Sequence, residues 1–233
     1  MLPGESPHLE EISMNKLTEW TFKQLVNRTD RYFSRNKNYK SALQNLTPAI
    51  INDHYLGKTS ISLFAISELN TCKWFAYDFD VKTEEDKGGA EVAVSSIISN
   101  LDKLGFNSIL EDSDGAGRFH LWVLFDAPIP SKYAYAAARF FALDTNFPVE
   151  IHPKQIALSK DIPLGNHLRI PGKHHTKDHW SKIKVNDKWL DWADARLWLP
   201  TAPINSSEKI LAIPENKIEK FIAELNPQVK SNY

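Results

Sequence analysis

An α+β fold, with an RRM-like antiparallel sheet at its core and a mainly helical N-terminal lobe, is what this sequence predicts. Runs rich in aromatic and β-branched residues at 71–80, 107–111, 119–125 and 149–152 read as strands. Two helical stretches separate them, giving the order strand, helix, strand, strand, helix, strand of a ferredoxin-like sheet. The first of these helices carries Ala90, Val94, Ile97, Ile98, Leu101 and Leu104 on one stripe, the pattern of a helix laid on a sheet. With 42% hydrophobic and 11% aromatic residues over 233 positions, the chain can bury a core as one large or two small domains.

Taken in order, residues 1–13 read as a flexible arm and 14–66 as an N-terminal helical/mixed lobe packed on the core. Within the lobe, Met14 to Phe33 have helical periodicity. Thr47-Pro48 supplies an N-cap and a first-turn proline for a short helix that Gly57 ends, and Ser60 to Ile66 read as a strand. The core spans 67–199. Asp86-Lys87-Gly88-Gly89 reads as the turn into the striped helix, and Gly105 as its stop. Ser131 is expected to cap a second helix over Lys132 to Leu143. Leu168 to Ile170 form a further strand, and Trp180 to Val185 and Lys188 to Trp192 flank Asn186-Asp187 as a hairpin. Residues 200–214, with their prolines and serines, read as a linker before a terminal helix at Glu215 to Leu225. No internal repeat is present.

Composition narrows the setting. Lys and Arg total 28 against 29 for Asp and Glu, so no global positive field draws in a polyanion and any such site must be local. The single cysteine, Cys72, excludes an internal disulfide and a cysteine zinc module, as expected of a reducing cytoplasmic compartment. There is no signal-peptide pattern and no run of 18 apolar residues, so a soluble protein without a membrane partner is expected.

The chemistry begins at Trp74-Phe75-Ala76-Tyr77-Asp78-Phe79-Asp80. On a strand, residues two apart share a face, so Asp78 and Asp80 project side by side while Phe79 packs on the other side. Two carboxylates that close call for a cation, and hard oxygen ligands on a rigid strand suit Mg²⁺ or Mn²⁺ with phosphate and water completing the shell. Next, Ser113-Asp114-Gly115-Ala116-Gly117-Arg118-Phe119-His120 offers glycines for close backbone approach, with Ser113, Arg118 and His120 as phosphate donors. The plain reading is a glycine hairpin whose polar residues face water. Glu150, on a short apolar strand, is placed to complete a three-carboxylate metal site or else to sit exposed. Lys154, Gln155, Asn166 and Arg169 are candidate phosphate or sugar contacts. The stretch from Arg169 to Lys184 is the most basic in the chain. Its Lys173, His175, Lys177, His179 and Trp180 are candidates for tracking a phosphate backbone and stacking on bases, or for a solvated loop. His175 and His179 stand at i, i+4, but a complete zinc ligand set is missing.

In order and spacing, these motifs resemble the archaeo-eukaryotic primase superfamily, in particular its primase-polymerase branch of mobile-element, conflict-system and CRISPR-associated proteins. The likeness covers about residues 70 to 190 and includes Pro153-Lys154-Gln155 and the segment Gly165-Asn166 through Pro171-Gly172. The third acid is glutamate where many relatives carry aspartate. The resemblance implies an archaeo-eukaryotic-primase-type catalytic core with Asp78, Asp80 and Glu150 holding two Mg²⁺ or Mn²⁺ ions roughly 4 Å apart. It also implies a nucleoside triphosphate bound by Ser113, Gly117, Arg118, His120, Lys154, Gln155, Asn166 and Arg169. The implied partners are a single-stranded DNA template, NTP or dNTP, and associated or fused replication, repair or defence components. The competing readings are a metal-dependent nuclease, a catalytically decayed nucleic-acid-binding module, and a Ser113/His120 hydrolase. The hydrolase lacks the strand-turn-helix nucleophile elbow.

Overall fold

The computed structural model describes residues 7–34, 41–42 and 44–224. Its helices are α1 (Pro7–Gln24), α2 (Pro48–Tyr55), α3 (Glu84–Lys103), α4 (Ser131–Phe141), α5 (Trp192–Trp198) and α6 (Glu215–Glu224). Its strands are β1 (Tyr32–Ser34), β2 (Ser41–Ala42), β3 (Ile61–Phe64), β4 (Thr71–Phe79), β5 (Ile109–Asp112), β6 (Phe119–Pro130), β7 (Glu150–His152), β8 (His167–Arg169), β9 (Lys182–Val185) and β10 (Lys188–Leu190). Strands β4, β5, β6 and β7, with α3 and α4 between them, form the expected βαββαβ unit. They lie in the order β5-β6-β4-β7 within one antiparallel sheet, and the hairpin β9-β10 extends that sheet beyond β5. A smaller sheet, β2-β1-β3-β8, joins the N-terminal lobe to the segment that follows the core strands.

Alternation along β4 sorts its two faces. Phe75, Tyr77 and Phe79 are fully buried; Tyr77 reaches α4, where its hydroxyl donates to the Ala138 carbonyl at 2.8 Å. Trp74 points the other way and donates its indole N–H to the Leu25 carbonyl at 2.9 Å, tying the sheet to the end of α1. Asn27 completes that join: its amide donates to the Phe64 and Ala65 carbonyls and its oxygen accepts the Lys73 N–H.

Local signals produced several elements as expected. Thr47 caps α2 with Pro48 in its first turn, and Asn186 and Asp187 both take positive φ at the β9-β10 turn. Four expectations are corrected. Residues 7–13 of the supposed arm belong to α1, because Pro7 opens the helix in its first turn, where a missing N–H costs nothing; residues 1–6 lie outside the described residues. The helical reading of Met14 to Phe33 stops at Gln24, and Phe33 is in a strand. Gly88 and Gly89 are inside α3, which starts earlier at a Thr83/Asp86 capping box; Gly89 lies where a Cβ would meet Phe147 at 3.1 Å. Ser131 is the first residue of α4 and not its cap, since its hydroxyl donates to the Ile156 carbonyl instead.

The supposed linker 200–214 is likewise part of the packed structure. Two 3-10 turns, Leu199–Thr201 and Ser207–Ala212, bracket a fully buried Asn205. Its side chain bonds the Asn107 N–H and the Asn107 and Leu124 carbonyls, while its backbone pairs with Leu124 and Asp126 of β6. A polar, proline-containing stretch looks like a linker until its hydrogen-bonding partners, far away in sequence, are known.

His54 locks α2 to the segment behind the cleft. Fully buried, it accepts the Ile61 N–H at Nδ1 and donates from Nε2 to the Pro171 carbonyl at 3.0 Å. Gly172, at φ 151°, presses on its ring where any Cβ would collide. Burial lowers the His54 pKa to about 4. The unfolded chain therefore takes up this proton first as pH falls below roughly 6.5, so the contribution is whole above that pH and is lost toward pH 4. Urea titrations between pH 6.5 and 5 should show stability falling by up to about 1.4 kcal/mol per pH unit from this group. The slope should flatten by that amount in His54→Gln; an unchanged slope would refute the assignment.

Candidate active site

Antiparallel register assembles the site. Glu111 of β5 is opposite His120 of β6, His120 is opposite Asp78 of β4, and Asp78 is opposite Glu150 of β7. Directly opposed residues share a face, so four strands deliver an acid, a histidine and two more acids in one row. Asp78 stands between His120 Nε2, 3.7 Å from its Oδ1, and the Glu150 strand. Burial, with Asp80 and Glu150 nearby, raises the Asp78 pKa despite the opposing pull of His120. This is a place that calls for a cation.

The row faces a cleft of about 380 Å³. Asp78, Asp80, Glu150 and His120 line it, as do Ser113 and Arg118 from the glycine loop and Lys154, Asn166 and Arg169 from the segments after β7. Four more wall residues are histidines: His152, His167, His174 and His175, the last two stacked with ring centroids 4.4 Å apart. Cations neutralise two of the acids: Arg118 meets Asp80 at 3.1 Å and Lys154 meets Glu150 at 2.8 Å. Among the described residues, Asp78, Glu150 and His152 form a group whose donor atoms lie within 4.8 Å of one another. Asp80 is outside that group. Two adjacent carboxylates, one with its ionised form disfavoured, are a donor set that fits a divalent metal.

Glu111 was not picked out by sequence reasoning. It is fully buried, yet accepts hydrogen bonds from His120 Nδ1 at 2.9 Å, Trp122 Nε1 at 2.9 Å and Ser181 Oγ at 2.6 Å, with Arg169 at 3.6 Å. Burial alone would raise its pKa, but His120, Arg169 and Ser181 outweigh it and hold it at about 2. Glu111 thereby fixes the His120 ring with Nδ1–H inward and Nε2 toward Asp78. Arg169, gripped from one side by Glu111, donates from the other to the Ser113 carbonyl at 2.6 Å, anchoring the glycine loop. Ser113 itself turns its hydroxyl to the Arg118 carbonyl, closing the loop. His152 was missed too. Burial lowers its pKa to about 3, so the ring is neutral.

The remaining sequence candidates lie outside the cleft wall. Gly117, at φ 94°, packs against the Lys87 side chain and shapes the loop, and Gln155, whose side-chain oxygen lies near Gly165, does not line the cleft. The basic segment braces the loop: Lys177 pairs with the buried carboxylate of Asp114, and His179 Nε2 contacts the Asp112 carbonyl at 3.2 Å. Lys173 pairs with Asp178 and lies over the Trp180 ring, whose other neighbour is Trp192, stacked at 5.7 Å. Of the five expected template contacts, only His175 reaches the cleft. Counting charges along the chain identified the cations but not Asp114 as a partner.

An RRM-like sheet bearing an acidic row over a cation-lined cleft is the architecture of a primase-polymerase domain. The family described as the archaeo-eukaryotic primase domain of the TOTE conflict system matches residues 15–213, and the chain belongs to it. No curated protein matches the chain. Among solved structures, it is similar to the polymerase domain from Mycobacterium tuberculosis ligase D in complex with DNA. The TM-score is 0.46 at 11% identity, over 87% of each chain. No helix among the described residues is long and apolar enough to cross a membrane.

Proposed function

We propose that this domain is a nucleotidyltransferase that makes or extends primers on single-stranded DNA from nucleoside triphosphates. The observation that carries the reading is the cross-strand row in which Asp78 and Glu150 stand together beside His120, in a chain of the archaeo-eukaryotic primase family. Asp78, Glu150 and Asp80 are the residues that would hold Mg²⁺ or Mn²⁺, two ions by the family resemblance. Bound there, the metal supplies charge neutralisation for the leaving pyrophosphate and lowers the proton affinity of the attacking hydroxyl.

The protein's own cations do the rest. Arg118, whose Nε is held by the Val81 carbonyl near Asp114, presents its terminal nitrogen to Asp80 in the cleft, from where it would meet the triphosphate; Lys154 stands in the same relation to Glu150. His120, held by Glu111, directs Nε2 into the cleft as a donor to phosphate oxygen. His120→Ala should lower kcat/KM for the nucleotide by about 100-fold, with affinity for primed template unchanged. Wild-type steady-state kinetics in that variant would remove His120 from the site.

The deciding experiment incubates the protein with unprimed single-stranded DNA, labelled dNTPs and NTPs, and Mg²⁺ or Mn²⁺, then repeats the assay with an annealed primer. Product ladders on unprimed DNA, absent in Asp78→Ala/Asp80→Ala, support a primase and report its sugar preference. Extension alone supports a polymerase that does not initiate. Metal-dependent DNA cleavage without incorporation points to the nuclease, and metal-independent binding without either points to the decayed module.

A further inference from the structure

His152 occupies a place where a histidine would be read as a third metal ligand, with its donor nitrogen near oxygens of Asp78 and Glu150. Its other neighbour argues against that role. The Asn166 Oδ1 accepts the Lys154 backbone N–H at 2.8 Å, and only the amide oxygen can accept it. The Asn166 amide NH₂ is therefore the group facing His152 Nδ1, and Nδ1 is the acceptor. In a neutral imidazole with Nδ1 accepting, the proton is on Nε2. Nε2 is buried, lacks a hydrogen-bond partner and lies 3.8 Å from Glu150 Oε2. A protonated ring nitrogen has no lone pair to offer a metal.

We propose that His152 is a positioning residue for Glu150, not a ligand, and that Asn166 determines metal choice by setting its tautomer. Lys154 holds Glu150 Oε1 at 2.8 Å, and His152 Nε2 lies 3.8 Å from Oε2, longer than a hydrogen bond but close enough for its N–H to favour the carboxylate's charge. With Lys154 bonded to one oxygen and the His152 N–H beside the other, the carboxylate is kept in the row with Asp78, and the centre is built from oxygen donors alone. Such a centre accepts Mg²⁺ or Mn²⁺, whereas an added imidazole nitrogen would shift preference toward Ni²⁺ or Zn²⁺. Asn166→Asp is the reversing substitution. A carboxylate there still accepts the Lys154 N–H, but it also accepts a proton-bearing Nδ1, which frees the Nε2 lone pair for a metal.

The inference rests on Asp78 and Glu150 forming the metal centre, and two readouts keep the questions apart. Nitrogen-15 NMR of the metal-free protein should show His152 as the Nε2–H tautomer, and as Nδ1–H in Asn166→Asp. Pulsed EPR with bound Mn²⁺ should show no directly coordinated nitrogen in the wild type and one in Asn166→Asp. The Ni²⁺-to-Mg²⁺ affinity ratio should rise by about 10- to 100-fold in that variant. A wild-type Nδ1–H tautomer, or a nitrogen bound to Mn²⁺ in the wild type, would overturn the assignment. Failure of Mn²⁺ to bind would overturn the metal-centre reading itself, leaving the tautomer to judge the role of His152.

Discussion

Asp78→Asn is expected to lower nucleotide incorporation by about 1,000-fold, the scale of losing a group that organises charge in a transition state. The same substitution should raise the thermal midpoint of the metal-free protein, because burial disfavours the ionised carboxylate in the fold. Both effects follow from position. Asp78 is the centre of the row, opposite Glu150 on one strand and His120 on the other, so its loss dismantles the donor group. Asparagine keeps the shape and removes the charge. The folded-state pKa of Asp78 is raised, first by burial and then by Asp80 and Glu150. A raised carboxyl pKa means the ionised form destabilises the fold, an effect present at neutral pH and relieved on acidification. Neutral Asn should give that relief at every pH. Initial rates on a primed template, paired with calorimetry at pH 7, test both halves. Activity within tenfold of wild type, or a lowered midpoint, would contradict the central role.

The largest loss of stability is expected at Glu111. Glu111→Ala removes the acceptor shared by His120, Trp122 and Ser181 and leaves the buried Arg169 guanidinium without its carboxylate. Breaking a buried pair from one side costs about 3–5 kcal/mol, because the remaining charge stays desolvated. The thermal midpoint should fall by about 10 °C. Glu111→Gln should fall between the two proteins, since an amide retains one acceptor oxygen and sets an N–H against the other donors. Urea unfolding of the three proteins provides the comparison, and a loss below about 1 kcal/mol in Glu111→Ala would mean that the network carries little stability. Activity should drop in both variants, because Arg169 also anchors the Ser113 carbonyl and with it the glycine loop.

Asp78 was legible because its anomaly is local: two carboxylates in an aromatic strand are visible within seven residues. Glu111 was not, because an acid at the end of an apolar strand looks like a solvated strand terminus until register places His120 and Trp122 against it. Asn205 was read as linker for the same reason. Lys177 and His179 were legible as cations but not as braces, since Asp114 and Asp112 lie far from them in sequence.

By itself, the sequence determined what depends on neighbours along the chain. This includes the two- and 3.6-residue periodicities of β4 and α3, the Thr47-Pro48 helix start, the Asn186-Asp187 turn and the presence of acids where a core strand should be apolar. Tertiary structure alone decided which groups meet: Glu150 beside Asp78, Glu111 behind His120, Asn166 on His152 and the basic segment on the glycine loop. The physical reason is that strand register and loop packing are set by many weak contacts between distant segments. A buried charge or hydrogen-bonding group acquires its role only from the partners those contacts bring to it.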